Sequence, residues 1–126
     1  MIIADTDVLI DFLRDYQPIA DRIALEISSG SFATTVITAF ELNSGAHSAR
    51  QKHAVTCLLD ALNIIVLDHN ASTIAAKIRV DLESRGDGIV MADYLIAGIC
   101  LSQKASLFTR NIKNFNRIPN LKLVTP

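Results

Sequence analysis

Apolar and polar positions alternate in two ways along this 126-residue chain. Short apolar runs read as buried strands: MIIA at the start, then SFATT, IIVLD, SLFT and LKLVT. Between them the period lengthens to that of helices. DVLIDFLRD sets Val8, Leu9, Phe12 and Leu13 at helical spacing. Pro18 suits the first turn of PIADRIALEISSG, which Gly30 ends. VITAFELNSGAHSAR predicts a third helix, and QKHAVTCLLDALN continues it or restarts as a fourth. NASTIAAKIRVDLESRG is amphipathic, with Ile74, Ile78 and Leu82 on one face and Gly86 after it. IVMADYLIAGICLSQKA is an apolar helix leading into the fourth strand.

Short strands alternating with helices predict a three-layer α/β/α sandwich: a parallel sheet of about five strands with helices on both faces. No repeat or linker divides the chain, and residues 1–126 are expected to form one domain. In such sheets ligands bind beyond the carboxyl ends of the strands, where the strand order reverses. Asp5 and Asp7 stand at the end of the first strand.

Composition narrows the class. Half of the residues are hydrophobic, an excess consistent with a surface buried against a partner or a second copy. Asp93 interrupts the apolar run from Gly88, so no transmembrane span of about 20 residues fits. No basic segment precedes an apolar one at the start, so no signal peptide is expected. Cys57 and Cys100 are isolated and read as small core residues. These features predict a cytoplasmic protein without disulfides or zinc. A net charge of −1 argues against a broadly basic nucleic-acid binder. The distribution is uneven, however. Residues 1–103 hold all thirteen acids, while 104–126 hold five basic residues and no acid. That cationic tail is either a solvated rim or a surface for phosphates.

Each carboxylate has a plain alternative role. Asp5 suits the cap of the first helix, and Asp7 complements that helix's dipole. Thr38 to Glu41 (TAFE) matches a capping box, with Glu41 reaching back to the Thr38 N–H. Asp93 is harder to explain away. Its helical neighbours are Ile89, Val90, Ile96, Ala97 and Cys100, and a buried carboxylate is costly unless paired or metal-bound. Thr109 and Asn111 lie just past the fourth strand. If the first and fourth strands are neighbours, Asp5, Asp7 and Asn111 face one crevice. Converging carboxylates need a positive partner. No Lys or Arg follows the pattern, soft ligands are absent, and oxygen donors suit Mg²⁺ or Mn²⁺. Such an ion binds phosphate oxygens and activates water for in-line attack. His47, His53 and His69 are scattered and read as surface or structural residues.

Four segments together carry a family likeness: ADTDVLIDFL, TAFEL, RGDGIVMADYLIAG and LFTRNIKNFNRIPNLKLVTP. In their order and spacing the chain resembles the PIN domain and, within it, the VapC-like toxin ribonucleases of toxin–antitoxin pairs. The resemblance implies an endoribonuclease dependent on Mg²⁺ or Mn²⁺, a homodimer, and a small VapB-like antitoxin as partner. Carried over by position, it makes Asp5, Glu41 and Asp93 the acidic metal-binding residues and Thr6 and Thr109 the supporting hydroxyls. Arg110, Lys113 and Arg117 become candidate RNA contacts. The family pattern often has an acid at the position of Asn111 or Asn114, and both are Asn here. The position of Asp7 is more often Asn or Ser. Asp7 is therefore expected to replace the missing fourth acid, with Asn111 as a neutral ligand.

Three other readings compete. DTDVL resembles the nucleophile motif of haloacid-dehalogenase-type phosphatases, with Asp5 attacking. A receiver-type signalling domain would use Asp68, after the third strand, as phosphoacceptor. Asn111 and Asn114 would also fit a catalytically inert PIN-like binding protein.

Overall fold

A computed structural model describes residues 1–125; Pro126, the last residue of the expected domain, lies outside the described residues. The chain runs β1 (Ile2–Ala4), α1 (Thr6–Leu13), α2 (Ile19–Ser28), β2 (Phe32–Thr35), α3 (Val36–Gly45), α4 (Ala49–Asp60), β3 (Asn63–Ile65), α5 (His69–Ser84), α6 (Met91–Ser102), β4 (Ser106–Phe108), α7 (Ile112–Phe115) and β5 (Leu123–Val124). All strand pairings are parallel, in the order β3-β2-β1-β4-β5. The order reverses between β1 and β4, which are neighbours, as the predicted crevice requires.

The strands are two to four residues long, and alternation along them divides the core. Ile3 registers with Ala33 and Leu107, and these three face α5 and α6. Ala4, Phe32 and Phe108 face the opposite side, against α1, α2, α3 and α4. Both faces are thus covered, the condition under which short all-parallel strands are stable. Helices α5 and α6 meet closely through Gly98. A Cβ built there would lie 2.5 Å from the Ala71 carbonyl oxygen and 2.8 Å from Ala75 Cβ. Gly86, at φ +75°, closes α5 and turns the chain toward α6.

Several boundaries differ from the pattern. Pro18 caps α2 from outside its first turn. The third and fourth helices are separate, because Ser48 and Gln51 form a reciprocal capping box that starts α4 at Ala49. Strand β3 ends at Ile65, leaving Val66 exposed. The four-residue α7 is too short for a periodicity to predict. Cys100 is buried as expected. Cys57 is exposed, a correction: it lies on the outer face of α4, beside His53. The three histidines are all exposed.

Candidate active site

Asp5 directly follows β1, at the reversal of strand order. It caps α1 as predicted: its Oδ1 accepts the Thr6 N–H at 2.8 Å. Its Oδ2 does something a cap does not need, accepting the Thr109 hydroxyl from the end of β4 at 2.7 Å. Asp7 points to the same place. Its Oδ2 accepts the Arg110 backbone N–H at 3.0 Å and lies 3.4 Å from the Thr109 hydroxyl. Among the described residues, Asp7 Oδ1 is the buried side-chain oxygen that lacks a hydrogen-bond partner.

Glu41 is not part of a capping box. The α3 cap is Thr35, whose hydroxyl accepts the Thr38 N–H at 3.1 Å, so Thr38 lies inside the helix. The Glu41 side chain instead accepts the Thr6 hydroxyl at 2.6 Å, tying α3 to the start of α1. Thr38 Oγ1 stands 3.0 Å from Thr6 Oγ1. Thr6 has one hydroxyl proton, and the shorter bond directs it at Glu41, so Thr38 is the donor in the second contact. The sequence pattern offers Thr38 as a helix cap and not as a site residue. Its signal was present as a threonine three residues before Glu41 on the same helical face, read there as a cap.

Asp93 lies in the first turn of α6, where the helix dipole tempers its charge. Asn111 Nδ2 reaches its Oδ2 at 3.5 Å, at the outer limit of hydrogen bonding. The sheet and its helices therefore bring Asp5, Thr6, Asp7, Glu41, Asp93, Thr109 and Asn111 to one edge. The tail cations are partly engaged elsewhere. Arg110 pairs with Asp11, and Arg117 donates to the Asp87 and Gly88 carbonyls at 3.3 Å. Lys113 is exposed on α7.

Burial, and then neighbouring charge, raises the proton affinity of the three aspartates. Burial and then the Asp7 charge push Asp5 up to about 7, against the opposing bonds from Thr109 and Thr6. Burial, Glu41 and Asp7 push Asp93 up to about 6. Burial raises Asp7 as well, with the Arg110 N–H opposing. Beneath them, burial and the Asp5 charge push the Cys100 thiol up to about 12, so it stays neutral. Among the described residues, no three His, Cys, Asp or Glu side chains stand close enough to enclose an ion by themselves. The donor set is all oxygen, mutually repelling, and includes one buried oxygen without a partner. It fits a hard divalent cation held by one or two carboxylates and several of its own waters.

The sequence profile described as the PIN domain matches residues 2–121. The chain belongs to the PIN domain family. Individual relatives are similar along most of their lengths. Ribonuclease VapC2 of Rickettsia felis is 32% identical over 82% of this chain and 80% of its own. Ribonuclease VapC1 of Methanocaldococcus jannaschii is 30% identical over 97% of this chain and 84% of its own. Among solved structures, the Rickettsia felis VapBC2 complex bound to a promoter DNA fragment matches with a TM-score of 0.90 and 26% identity. That match covers 100% of this chain and 99% of the other. Divalent-metal dependence is general among PIN-domain VapC nucleases, in agreement with the donor set. Among the described residues, no helix is long and apolar enough to cross a membrane.

Two competing readings lose their geometry. The phosphatase reading requires a lysine beside Asp5, and among the described residues the groups that bond to Asp5 or act on its charge are Thr6, Asp7, Asp93 and Thr109, with no lysine. Asp68 caps α5 by accepting the Ala71 N–H. It follows β3 at the far edge of the sheet, away from the reversal.

Proposed function

We propose that this chain, acting as a single domain, is the toxin of a type II toxin–antitoxin pair: an endoribonuclease that hydrolyses RNA phosphodiesters. The observation that carries the reading is the gathering of Asp5, Asp7, Glu41 and Asp93 at the β1/β4 reversal in a PIN-domain chain. Its similarity to VapC ribonucleases supports the substrate class. Asp5, Glu41 and Asp93 would surround the divalent ion, Mg²⁺ or Mn²⁺, one or two of them binding it directly and the rest, with Asp7 and Asn111, acting through its waters. The ion when bound lowers the pKa of a coordinated water and stabilises charge on the scissile phosphate.

The chain's own residues supply position and charge. Thr109 and the Thr6 N–H hold the two oxygens of Asp5. The Thr6 hydroxyl aims Glu41. The four carboxylates keep the crevice negative until a cation enters, and Asp7 supplies the charge that Asn111 does not. Among the described residues no histidine lies in the crevice, so no general base is assigned to a side chain. A groove of about 510 Å³ runs from Glu41 between α1, α3 and α4, with Arg14 and Arg50 on its walls. Those arginines, and the exposed Lys113 of α7, would meet RNA phosphates. The partners are RNA, a VapB-like antitoxin and a second copy of the chain, in the cytoplasm.

Cleavage of a labelled RNA pool with Mg²⁺, with Mn²⁺ and with EDTA, beside an Asp93→Asn variant, tests the reading. Discrete fragments that vanish with EDTA and in the variant support it. A folded parent that cleaves nothing with either ion leaves the inert binding protein in its place.

A further inference from the structure

Residues 109–111 touch all three aspartates of the site. The Thr109 hydroxyl reaches Asp5 and Asp7, the Arg110 backbone N–H reaches Asp7, and the Asn111 amide reaches Asp93. The segment starts firmly, since β4 pairs with both β1 and β5 and the Thr109 N–H donates to the Val124 carbonyl, and it then runs into the four-residue α7. The Arg110 side chain supplies another anchor. Its Nε donates to Asp11 Oδ2 at 2.6 Å and its Nη2 to Asp11 Oδ1 at 3.3 Å. Asp11 lies on α1, one turn beyond Asp7, and is only 3% exposed. Losing the partner of a buried carboxylate is costly, and a two-pronged pair fixes orientation as well as distance. The contacts close a ring: from Asp7 to the Arg110 N–H, through the Arg110 side chain to Asp11, and back along α1.

We infer that the Arg110–Asp11 pair is a clamp that positions Asp7 and Thr109 in the metal site, and that Arg110 is a positioning residue with no direct role in holding RNA. This inference rests on the metal-site reading above. Simple charge makes the opposite forecast for one partner. Removing the Arg110 cation should tighten binding of a divalent ion, and removing the Asp11 anion should weaken it. A clamp makes both removals weaken it, because each releases the same segment.

The experiment is the affinity for Mn²⁺ without RNA, read from the electron paramagnetic resonance signal of the free ion. It compares the parent with Asp11→Asn, Arg110→Gln, Arg110→Lys and the Asp11→Asn/Arg110→Gln double variant. These changes keep hydrogen-bonding capacity at both positions, and circular dichroism checks each fold; if Arg110→Gln does not fold, Arg110→Lys and Asp11→Asn carry the comparison. Asp11→Asn and Arg110→Gln should each bind Mn²⁺ about tenfold more weakly, the scale on which supporting residues act. The double variant should be no weaker than either of these, because the two residues act as a unit. Arg110→Lys keeps the charge without the fork and should recover only part of the loss. In RNA cleavage, kcat should fall while KM changes less than about twofold. Arg110→Gln binding Mn²⁺ as well as or better than the parent would overturn the clamp. So would an unchanged Mn²⁺ affinity with a raised KM and a shallower salt dependence, the mark of a phosphate contact. A parent that binds no Mn²⁺ removes the metal-site reading and the clamp together, whereas a binding parent with unaltered variants removes the clamp alone.

Discussion

Replacing Asp5 with Asn should stabilise the metal-free protein while abolishing its metal-dependent cleavage. Asp5 is 5% exposed, and its carboxyl is pushed from 3.8 to about 7. The folded state therefore holds the Asp5 proton more tightly than the unfolded chain does. Its contribution is fully present below about pH 4 and is lost as pH rises through about 7. A tenfold change in proton affinity is worth about 1.4 kcal/mol, so ionising Asp5 in the fold costs about 4 kcal/mol by about pH 8. Asn keeps the capping oxygen for the Thr6 N–H and carries no charge. Allowing for a less apt amide partner for Thr109, the gain should be about 3 kcal/mol, or roughly 10 °C in Tm for a chain of this size. The assay is thermal unfolding by circular dichroism in EDTA, across about pH 4 to 8. The gain should be largest at the alkaline end and nearly absent near about pH 4, where the parent's Asp5 is itself protonated and neutral in the fold. A variant less stable than the parent at about pH 8, or a difference that does not vary with pH, would refute the reasoning.

Other substitutions probe separate parts of the account. Gly98→Ala brings a Cβ to 2.5 Å from the Ala71 carbonyl oxygen, so α5 and α6 must separate. Its overpacking should outweigh the gain in helix propensity and cost about 2 kcal/mol in chemical denaturation, whereas a net stabilisation would contradict the packing described. Asp7→Asn removes the charge that replaces the acid missing at Asn111, and Mn²⁺ affinity by calorimetry should fall about tenfold; full retention of affinity and activity would end that assignment. Thr6→Ala removes the hydroxyl 2.6 Å from Glu41. It should lower kcat while costing only about 1 kcal/mol of stability, and Thr6→Ser should restore most of the rate.

Much of the architecture was legible because burial on both faces of the sheet leaves a simple mark. Five short apolar runs became five parallel strands, and the Asp5 position followed from the end of the first one. The neighbouring of β1 and β4 could be stated only as a condition, because strand order is a matter of helix packing far along the chain. Glu41 shows a different limit. Thr35 and Thr38 both precede it, and which one caps α3 depends on how far β2 stays extended. Pairing with β3 extends β2 through Thr35, so Thr38 turns into the helix and Glu41 is freed toward Thr6. The role of Asp11 was illegible for lack of any local sign. In sequence it is a polar position on an amphipathic helix, and its partner Arg110 arrives 99 residues later. Cys57 was misplaced because its apolar neighbours Leu58 and Leu59 face inward while it faces out.

The central claim is that this crevice is a divalent-cation site whose carboxylates repel one another until an ion binds. Isothermal titration calorimetry of Mn²⁺ into the metal-free chain at about pH 6.5, in two buffers of different ionisation enthalpy, tests it most directly, because a ligand that requires deprotonated carboxylates must displace their protons. With Asp5 near 7 and Asp93 near 6, binding should release close to one proton per ion. That release should fade by about pH 8 and shrink in Asp5→Asn. Binding with no proton released at about pH 6.5, or no binding at all by the folded chain, would contradict the account.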